Sequence, residues 1–197
     1  MKFEFNDETD QALVATLVHE MKLCNESFAA FLKYGTEVFI NPNNALIKVK
    51  IHDAYSSFLH HLYEFYVGCI KRDRWDTKNI KHDELDQILT KEAQKQLKIK
   101  SILIENGIID DPRNLPLFQV LVPETFGADF RRIRNRTAHA SILRARPGNE
   151  ISLDSFFKKY HFFVLILFYS GQFAWNIKNP ETHDWGTIGA FNFGQSS

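Results

Sequence analysis

Apolar residues recur every three, four or seven positions along most of this chain, and this spacing constrains the fold more than any other feature. From about Asp10 to Phe39 they lie on one face of a helix, as an amphipathic helix requires. Asparagines and a proline at 41–44 interrupt the pattern, which then resumes and continues to about Arg72. The two segments predict a hairpin of long antiparallel helices.

The next part of the chain predicts two further helices. One carries apolar positions from Leu85 to Leu103 and ends at Gly107, a residue type common just after helix C termini. Prolines between 107 and 116 predict a loop, because proline disfavours helix in the residue before it. Pro123 is then placed to occupy the first turn of a fourth helix.

A fifth helix follows a turn predicted at 146–149. Ser152 is placed to cap its N terminus, and the helix is expected to stop near Pro180. A length of 197 residues with 44% hydrophobic content suits one compact domain. We therefore expect an all-α antiparallel bundle of about five long helices over residues 1–179. A short irregular C-terminal tail or arm is expected over residues 180–197.

The N terminus and the cysteines indicate a cytoplasmic protein. The first residues are acidic and lack the basic start and apolar run of a secretory signal. The longest apolar run, Phe162 to Tyr169, is too short to span a bilayer. Cys24 and Cys69 lie in apolar periodic segments without metal-ligand spacing, which predicts reduced thiols. We expect no membrane contact.

A concentration of arginine around one histidine is the strongest functional signal. Six of the nine arginines lie between Arg131 and Arg146 with no Asp or Glu among them, and His139 lies inside this cluster. A guanidinium group can donate two parallel hydrogen bonds to two oxygens of one phosphate, and imidazole exchanges a proton near neutral pH. The whole chain is neutral, with 24 basic and 24 acidic residues, so any contact with nucleic acid must be local. The cluster predicts a phosphodiester site.

Within the cluster, Arg134-Asn135-x-x-x-His139 resembles the RNxxxH motif of HEPN domains, the all-α domains of many prokaryotic toxin and antiviral RNases. The motif lies late in a series of long helices and before another aromatic-rich helix, and the resemblance extends over roughly residues 10–178. It implies a HEPN-like bundle and an endoribonuclease that needs no metal or other cofactor. It also implies a homodimer in which Arg134 and His139 of two protomers share one composite cleft.

The chemistry of such a site follows from the RNA itself. The 2′-OH is the nucleophile, so the enzyme supplies a proton acceptor, a proton donor for the leaving 5′ oxygen, and positive charge at the phosphorane oxygens. We expect products that end in 2′,3′-cyclic phosphate and 5′-hydroxyl. DNA should resist cleavage because it lacks the 2′-OH.

The spacing of the motif sets a constraint on this reading. Arg134 and His139 are five residues apart and would point about 140° away from each other on an ideal helix. Asn135 and His139 share a face, so Asn135 is a third candidate catalytic residue that orients the ring or binds phosphate. Three arrangements stay open: a helix distorted near Thr137, an Arg134 side chain that reaches sideways, or a site completed by a partner. The resemblance favours the partner.

Other residues are predicted to support this pair. Glu64 on the second helix is a candidate for orienting Arg134, since HEPN proteins often place an acidic residue there; the alternative is a solvated glutamate paired with His60 or Lys71. The other arginines of the cluster are predicted to bind RNA phosphates, with an ordinary charged surface as the alternative for each. They are Arg131, Arg132, Arg136, Arg144 and Arg146.

The sequence predicts no metal site and identifies no particular regulator. His60-His61-x-x-Glu64 lacks the i, i+4 histidine pair of zinc proteases. Ser141 stands where HEPN toxins neutralised by a nucleotidyltransferase carry the modified tyrosine, which puts regulation through that tyrosine in doubt. An antitoxin or another regulatory protein remains a candidate partner.

Two other functions fit the same cluster. One is a non-catalytic HEPN-like helical module that binds RNA, a nucleotide or a protein partner, with salt-sensitive affinity and no strand scission. The other is a structural or regulatory helical dimer in which the arginines make only protein contacts. In that case His139 would interact only with the dipole of its helix.

Overall fold

The computed structural model describes residues 1–138, 148, 150–175, 185, 186 and 188, and every regular element in this part of the chain is helical. Six α-helices lie in these described residues, and a 3-10 turn, Pro112–Asn114, precedes the fourth. The α-helices are α1 (Glu8–Ile40), α2 (Ala45–Asp73), α3 (His82–Glu105), α4 (Leu115–Phe118), α5 (Phe126–Ala138) and α6 (Leu153–Trp175). The predicted all-α fold is confirmed. None of these described helices contains a stretch long and apolar enough to cross a membrane.

The α1–α2 hairpin forms as the sequence predicts. Asp7 and Asn44 cap the two helix N termini, each accepting hydrogen bonds from backbone N–H groups of the first turn. Arg72, near the C-terminal end of α2, binds Asp10, near the N-terminal end of α1. Ser27 lies 2.9 Å from Ser57, oxygen to oxygen, nearer the other end. The helices are therefore antiparallel.

Two of three helix ends predicted from capping residues are found in the structure. Ser152 Oγ accepts from the backbone N–H of Ser155 at 3.0 Å, which confirms the predicted cap of α6. Gly107 has a φ of +68° and follows Asn106, the C-cap of α3, at the position where glycine commonly ends a helix, as the sequence predicts. Pro123 lies outside α5, and its carbonyl accepts from the N–H of Phe126 in a turn that leads into the helix. The prediction that Pro123 begins the helix is therefore wrong by one turn.

The centre of the core is built largely from aromatic side chains of three helices, α2, α5 and α6. Phe58 and Phe65 of α2 are buried with Phe130 of α5 and Phe156 of α6. Tyr160 is also fully buried, and its hydroxyl donates to Asp129 Oδ2 at 2.7 Å. Such rings contribute large apolar areas and pack edge to face or tilted. The interpretation of the aromatic residues as core packing is confirmed for these side chains.

A close crossing of α3 and α5 positions the arginine-rich helix. At Gly127 the two backbones approach so closely that a Cβ atom would lie 2.0 Å from the carbonyl oxygen of Asp86. The Gly127 N–H also donates to Thr90 Oγ1 at 3.1 Å. Because α5 is fixed here and its Ile133 is buried, the face that carries Arg134 turns toward α2.

Parts of the prediction lie outside the described residues. These include most of the turn at 146–149, the helix end near Pro180 and most of the tail at 180–197. Trp185 is described, and its ring lies 5.8 Å from that of His19 on α1. The boundary between domain and tail at 179/180 stays a prediction. Cys24 and Cys69 are both free thiols within the described part of the chain.

Candidate functional site

Arg134 is held in place by three neighbours at the face where α5 meets α2. Its Nη2 donates to Glu64 Oε1, and its Nη1 donates to Asn135 Oδ1 at 2.9 Å. The guanidinium carbon lies 5.6 Å from the centre of the Tyr63 ring, within range of a cation–π interaction. The Nε atom is buried and makes no hydrogen bond. These contacts orient the guanidinium, while 23% of the Arg134 side-chain surface stays exposed to solvent.

Glu64 makes the contact that the sequence analysis expects of an orienting carboxylate. It pairs with Arg134, which is 70 positions further along the chain, and its side chain is 29% exposed. The alternative pairing of Glu64 with His60 or Lys71 is not what the structure shows in the described residues. Its catalytic contribution through Arg134 stays a prediction.

A groove of about 500 Å³ opens beside Arg134, between α2, α5 and the start of α3. Tyr63, Val67, Ile80 and Leu85 provide apolar lining, so the groove has a low-dielectric wall. Polar and charged side chains complete it: Glu64, Lys71, Asn79, Lys81, His82, Arg131, Arg134 and Asn135. An anion that enters this groove can reach the exposed part of the Arg134 guanidinium.

Three of the arginines predicted to bind phosphate already have protein partners. Arg131 forms three N–H···O contacts of 2.8–3.2 Å with the carboxylate of Asp86 on α3. Arg132 donates to Asp129 Oδ1 at 3.0 Å, although its side chain is still 52% exposed.

Arg136 departs furthest from its predicted place on the surface. It is only 7% exposed, and its Nη2 donates to the backbone carbonyl of Ile151 just before α6. A buried guanidinium cannot follow an RNA backbone without leaving this carbonyl. The burial and hydrogen bond of Arg136 therefore argue against the phosphate contact predicted for it. The ion pair with Asp86 makes a phosphate contact by Arg131 less favourable.

His139, Arg144, Arg146 and Ser141 lie outside the described residues. Within the described residues, α5 continues as a helix through Thr137 to Ala138, the residue directly before His139. The Thr137 hydroxyl donates to the carbonyls of Ile133 and Arg134, as threonine commonly does inside a helix. The described part of α5 is thus helical up to Ala138, and because His139 lies outside the described residues, all three arrangements stay open.

His60 is a feature of this region that the sequence suggests only as a weak metal ligand or as an alternative partner of Glu64. It lies one helical turn before Glu64 and lines a cavity of about 300 Å³ together with Thr137 and Ala138. Its Nδ1 is buried and has no hydrogen-bond partner. Burial, followed by the nearby His61 and Arg134, lowers the pKa of His60 below its ordinary value. This shift favours the neutral ring. The i, i+4 spacing of His60 to Glu64 is the sequence signal that could have pointed to it.

His61 faces a different helix from its neighbour. Its Nδ1 lies 2.8 Å from Glu20 Oε2 on α1. The two adjacent imidazoles therefore do not converge on a common point.

Comparisons of the chain with known proteins found no match. No protein-family model matches it, and no curated protein or solved structure matches it.

Proposed function

We propose that this protein is a metal-independent endoribonuclease with a HEPN-like helical bundle, acting as a homodimer in a toxin or antiviral-defence role. The observation that carries the proposal is the Arg134 guanidinium, fixed by Glu64 and Asn135 at the edge of a cation-lined groove. An oriented guanidinium is what a pentacoordinate phosphate needs, because negative charge develops on its equatorial oxygens. The RNxxxH motif supplies His139 five residues later.

The proposed reaction is an internal transesterification of RNA. The O2′–P bond forms while the P–O5′ bond breaks; the 2′-OH gives up its proton, and the departing O5′ receives one. His139 carries a proton in this scheme, and Arg134 stabilises the phosphorane. In a two-fold dimer, the second protomer contributes a second histidine for the other proton transfer. Asn135 and Glu64 act as positioning residues, since both contact Arg134 directly.

A non-catalytic module that binds RNA or a nucleotide is the second candidate. The groove itself favours it, because an oriented guanidinium beside lysine side chains can hold a phosphate whether or not a proton is transferred. This candidate predicts binding by wild type with no new RNA ends. The two candidates therefore differ in one observable.

The test is cleavage of total cellular RNA by purified protein in the presence of EDTA. Wild type should produce 2′,3′-cyclic phosphate and 5′-hydroxyl ends, and His139→Ala should produce none while it still folds and dimerises. His19→Ala is the matched control, because His19 lies on α1 and its ring contacts Trp185 rather than Arg134. Equal cleavage by wild type and His139→Ala would rule out the proposed mechanism. Silence from both, with RNA bound, would favour the binding module.

Glu64→Gln separates positioning from catalysis in the same assay. The amide keeps the size of the side chain but loses the charge that holds Arg134. We expect a roughly tenfold or larger fall in kcat with a smaller change in KM, since the interaction matters most in the transition state. A variant with unchanged kcat would show that Glu64 serves only the fold.

A further inference from the structure

Two lysines that the sequence analysis did not connect with the motif share its groove. Lys71 lies near the end of α2 and Lys81 directly before α3, and both line the groove beside Arg134. Neither makes an ion pair with any described residue. Lys71 is half-buried and Lys81 is exposed. Their ammonium groups are therefore available to an anion that occupies the groove.

The groove carries a surplus of positive charge in a chain of zero net charge. Its lining includes Lys71, Lys81, Arg131 and Arg134. Against these cations stand Glu64, which pairs with Arg134, and Asp86, which pairs with Arg131 from outside the lining. The two lysines are thus the cations of the lining that no carboxylate of the described residues pairs with, while Asp83 in the first turn of α3 lies close enough to act on Arg131. Because the walls are partly apolar, the field of these charges is concentrated inside the groove.

The start of α3 carries charges of both signs beside the groove. Lys81 occupies the N-cap position and makes no side-chain hydrogen bond to the helix. The first N–H groups of an α-helix have no partner within the helix and carry a partial positive charge. His82, the first residue of α3, also lines the groove. Asp83 and Glu84 in the same first turn oppose this partial charge, so the attraction for an anion rests on Lys71 and Lys81 rather than on the helix end.

We propose that this groove binds the phosphodiester backbone of the RNA strand next to the phosphate at Arg134, with Lys71 and Lys81 as its main contacts. The proposal rests on the proposed function, since it extends the bound strand from the scissile phosphate. It also replaces part of the predicted phosphate path, because Arg131 and Arg136 are occupied by Asp86 and by a backbone carbonyl. Lysine suits this task as a flexible point charge that tolerates any base sequence.

The test measures binding separately from cleavage. The probe is a fluorescein-labelled single-stranded RNA in which every 2′ oxygen is methylated, so that it lacks the nucleophile and stays intact. Affinity is measured by fluorescence anisotropy over a range of salt concentrations. The variant is Lys71→Glu/Lys81→Glu. The control is Lys91→Glu/Lys98→Glu, which makes the same charge change at two exposed positions of α3 outside the groove.

We expect the groove variant to bind about tenfold more weakly or worse than the control at low salt. Each lost phosphate contact on a single strand lowers the slope of log K against log salt by about 0.7, so the two lysines should lower it by about 1.4. Circular dichroism and urea unfolding confirm that both variants fold. Lys71→Met/Lys81→Met repeats the test without introducing acidic groups, and a smaller loss of the same sign is expected.

The outcomes separate this inference from the proposed function. Equal affinity of the groove variant and the control would overturn the groove, even if wild type cleaves RNA. Weakened binding by the groove variant would support the groove, even if wild type leaves cleavable RNA intact and the nuclease proposal fails. Wild-type binding to polyglutamate but not to RNA would overturn the groove as an RNA site and indicate an acidic protein partner.

Discussion

The ion pair between Arg131 and Asp86 decides whether this arginine serves the fold or the RNA. Their side chains are only 19% and 10% exposed, and they join α5 to α3 through three N–H···O contacts of 2.8–3.2 Å. Exposed ion pairs contribute about 0–1 kcal/mol, whereas removing one partner of a fully buried pair costs about 3–5 kcal/mol. This pair lies between the two limits. We expect Arg131→Met or Asp86→Asn alone to cost about 2 kcal/mol.

A double-mutant cycle isolates the interaction itself. The free energy of unfolding is measured by urea titration for wild type, Arg131→Met, Asp86→Asn and the double variant. We expect a coupling energy of about 1–2 kcal/mol, because the double variant leaves no unpaired charge behind. For a chain of this size, the single variants should melt about 4–8 °C below wild type. Arg131→Met should bind methylated RNA nearly as well as wild type.

One combination of results would refute this reasoning. A coupling energy below about 0.3 kcal/mol, which is the level of independent sites, would show that the pair does little for the fold. If Arg131→Met also lost RNA affinity to the same degree as the lysine variant of the groove, Arg131 would be a phosphate contact after all. The sequence-based assignment would then be correct and the structural argument wrong.

Two further predictions concern stability. Gly127→Ala should cost about 3 kcal/mol or more in urea unfolding, because its Cβ would lie 2.0 Å from the Asp86 carbonyl; Gly35→Ala, with nothing within 4 Å, should instead stabilise by up to about 1 kcal/mol. A Gly127→Ala variant as stable as wild type would contradict the close α3–α5 crossing. Burial lowers the pKa of His161 from 6.5 to about 4. Between these two pH values the ring is protonated in the unfolded chain but not in the folded chain. Stability should therefore fall as pH drops from about 6.5 to about 4, by about 1–2 kcal/mol for this partly exposed ring. His161→Gln should lose that part of the pH dependence in urea titrations, and an unchanged profile would count against it.

The long helices and several of their ends could be predicted from local sequence. Helical periodicity and caps depend on residues within a few positions of one another, so Ser152 and Gly107 could be assigned without knowing any tertiary contact. The same local signals were insufficient at Pro123, where an additional turn precedes α5, and at 107–116, where the predicted loop includes a 3-10 turn at 112–114 and the start of α4. Proline is compatible with both a turn and a first helical turn, so its position alone does not distinguish them.

The candidate site shows the limit of local reasoning. The RNxxxH motif and the suggestion that Glu64 meets Arg134 came from sequence and resemblance, and the contact between these two residues is present. Which arginines stay available to a ligand depended on partners far along the chain, such as Asp86 for Arg131. The grouping of Lys71 and Lys81 with Arg134 likewise depended on how three helices meet.

Sequence by itself therefore determined the helical class, the approximate helix bounds and the position of the motif, because each is encoded by neighbouring residues. Tertiary structure alone decided which charges are neutralised, which are buried and which face a common groove. The physical reason is that a charge is compensated through space, and the crossing of α3 with α5, set by the close approach at Gly127, determines which side chains meet.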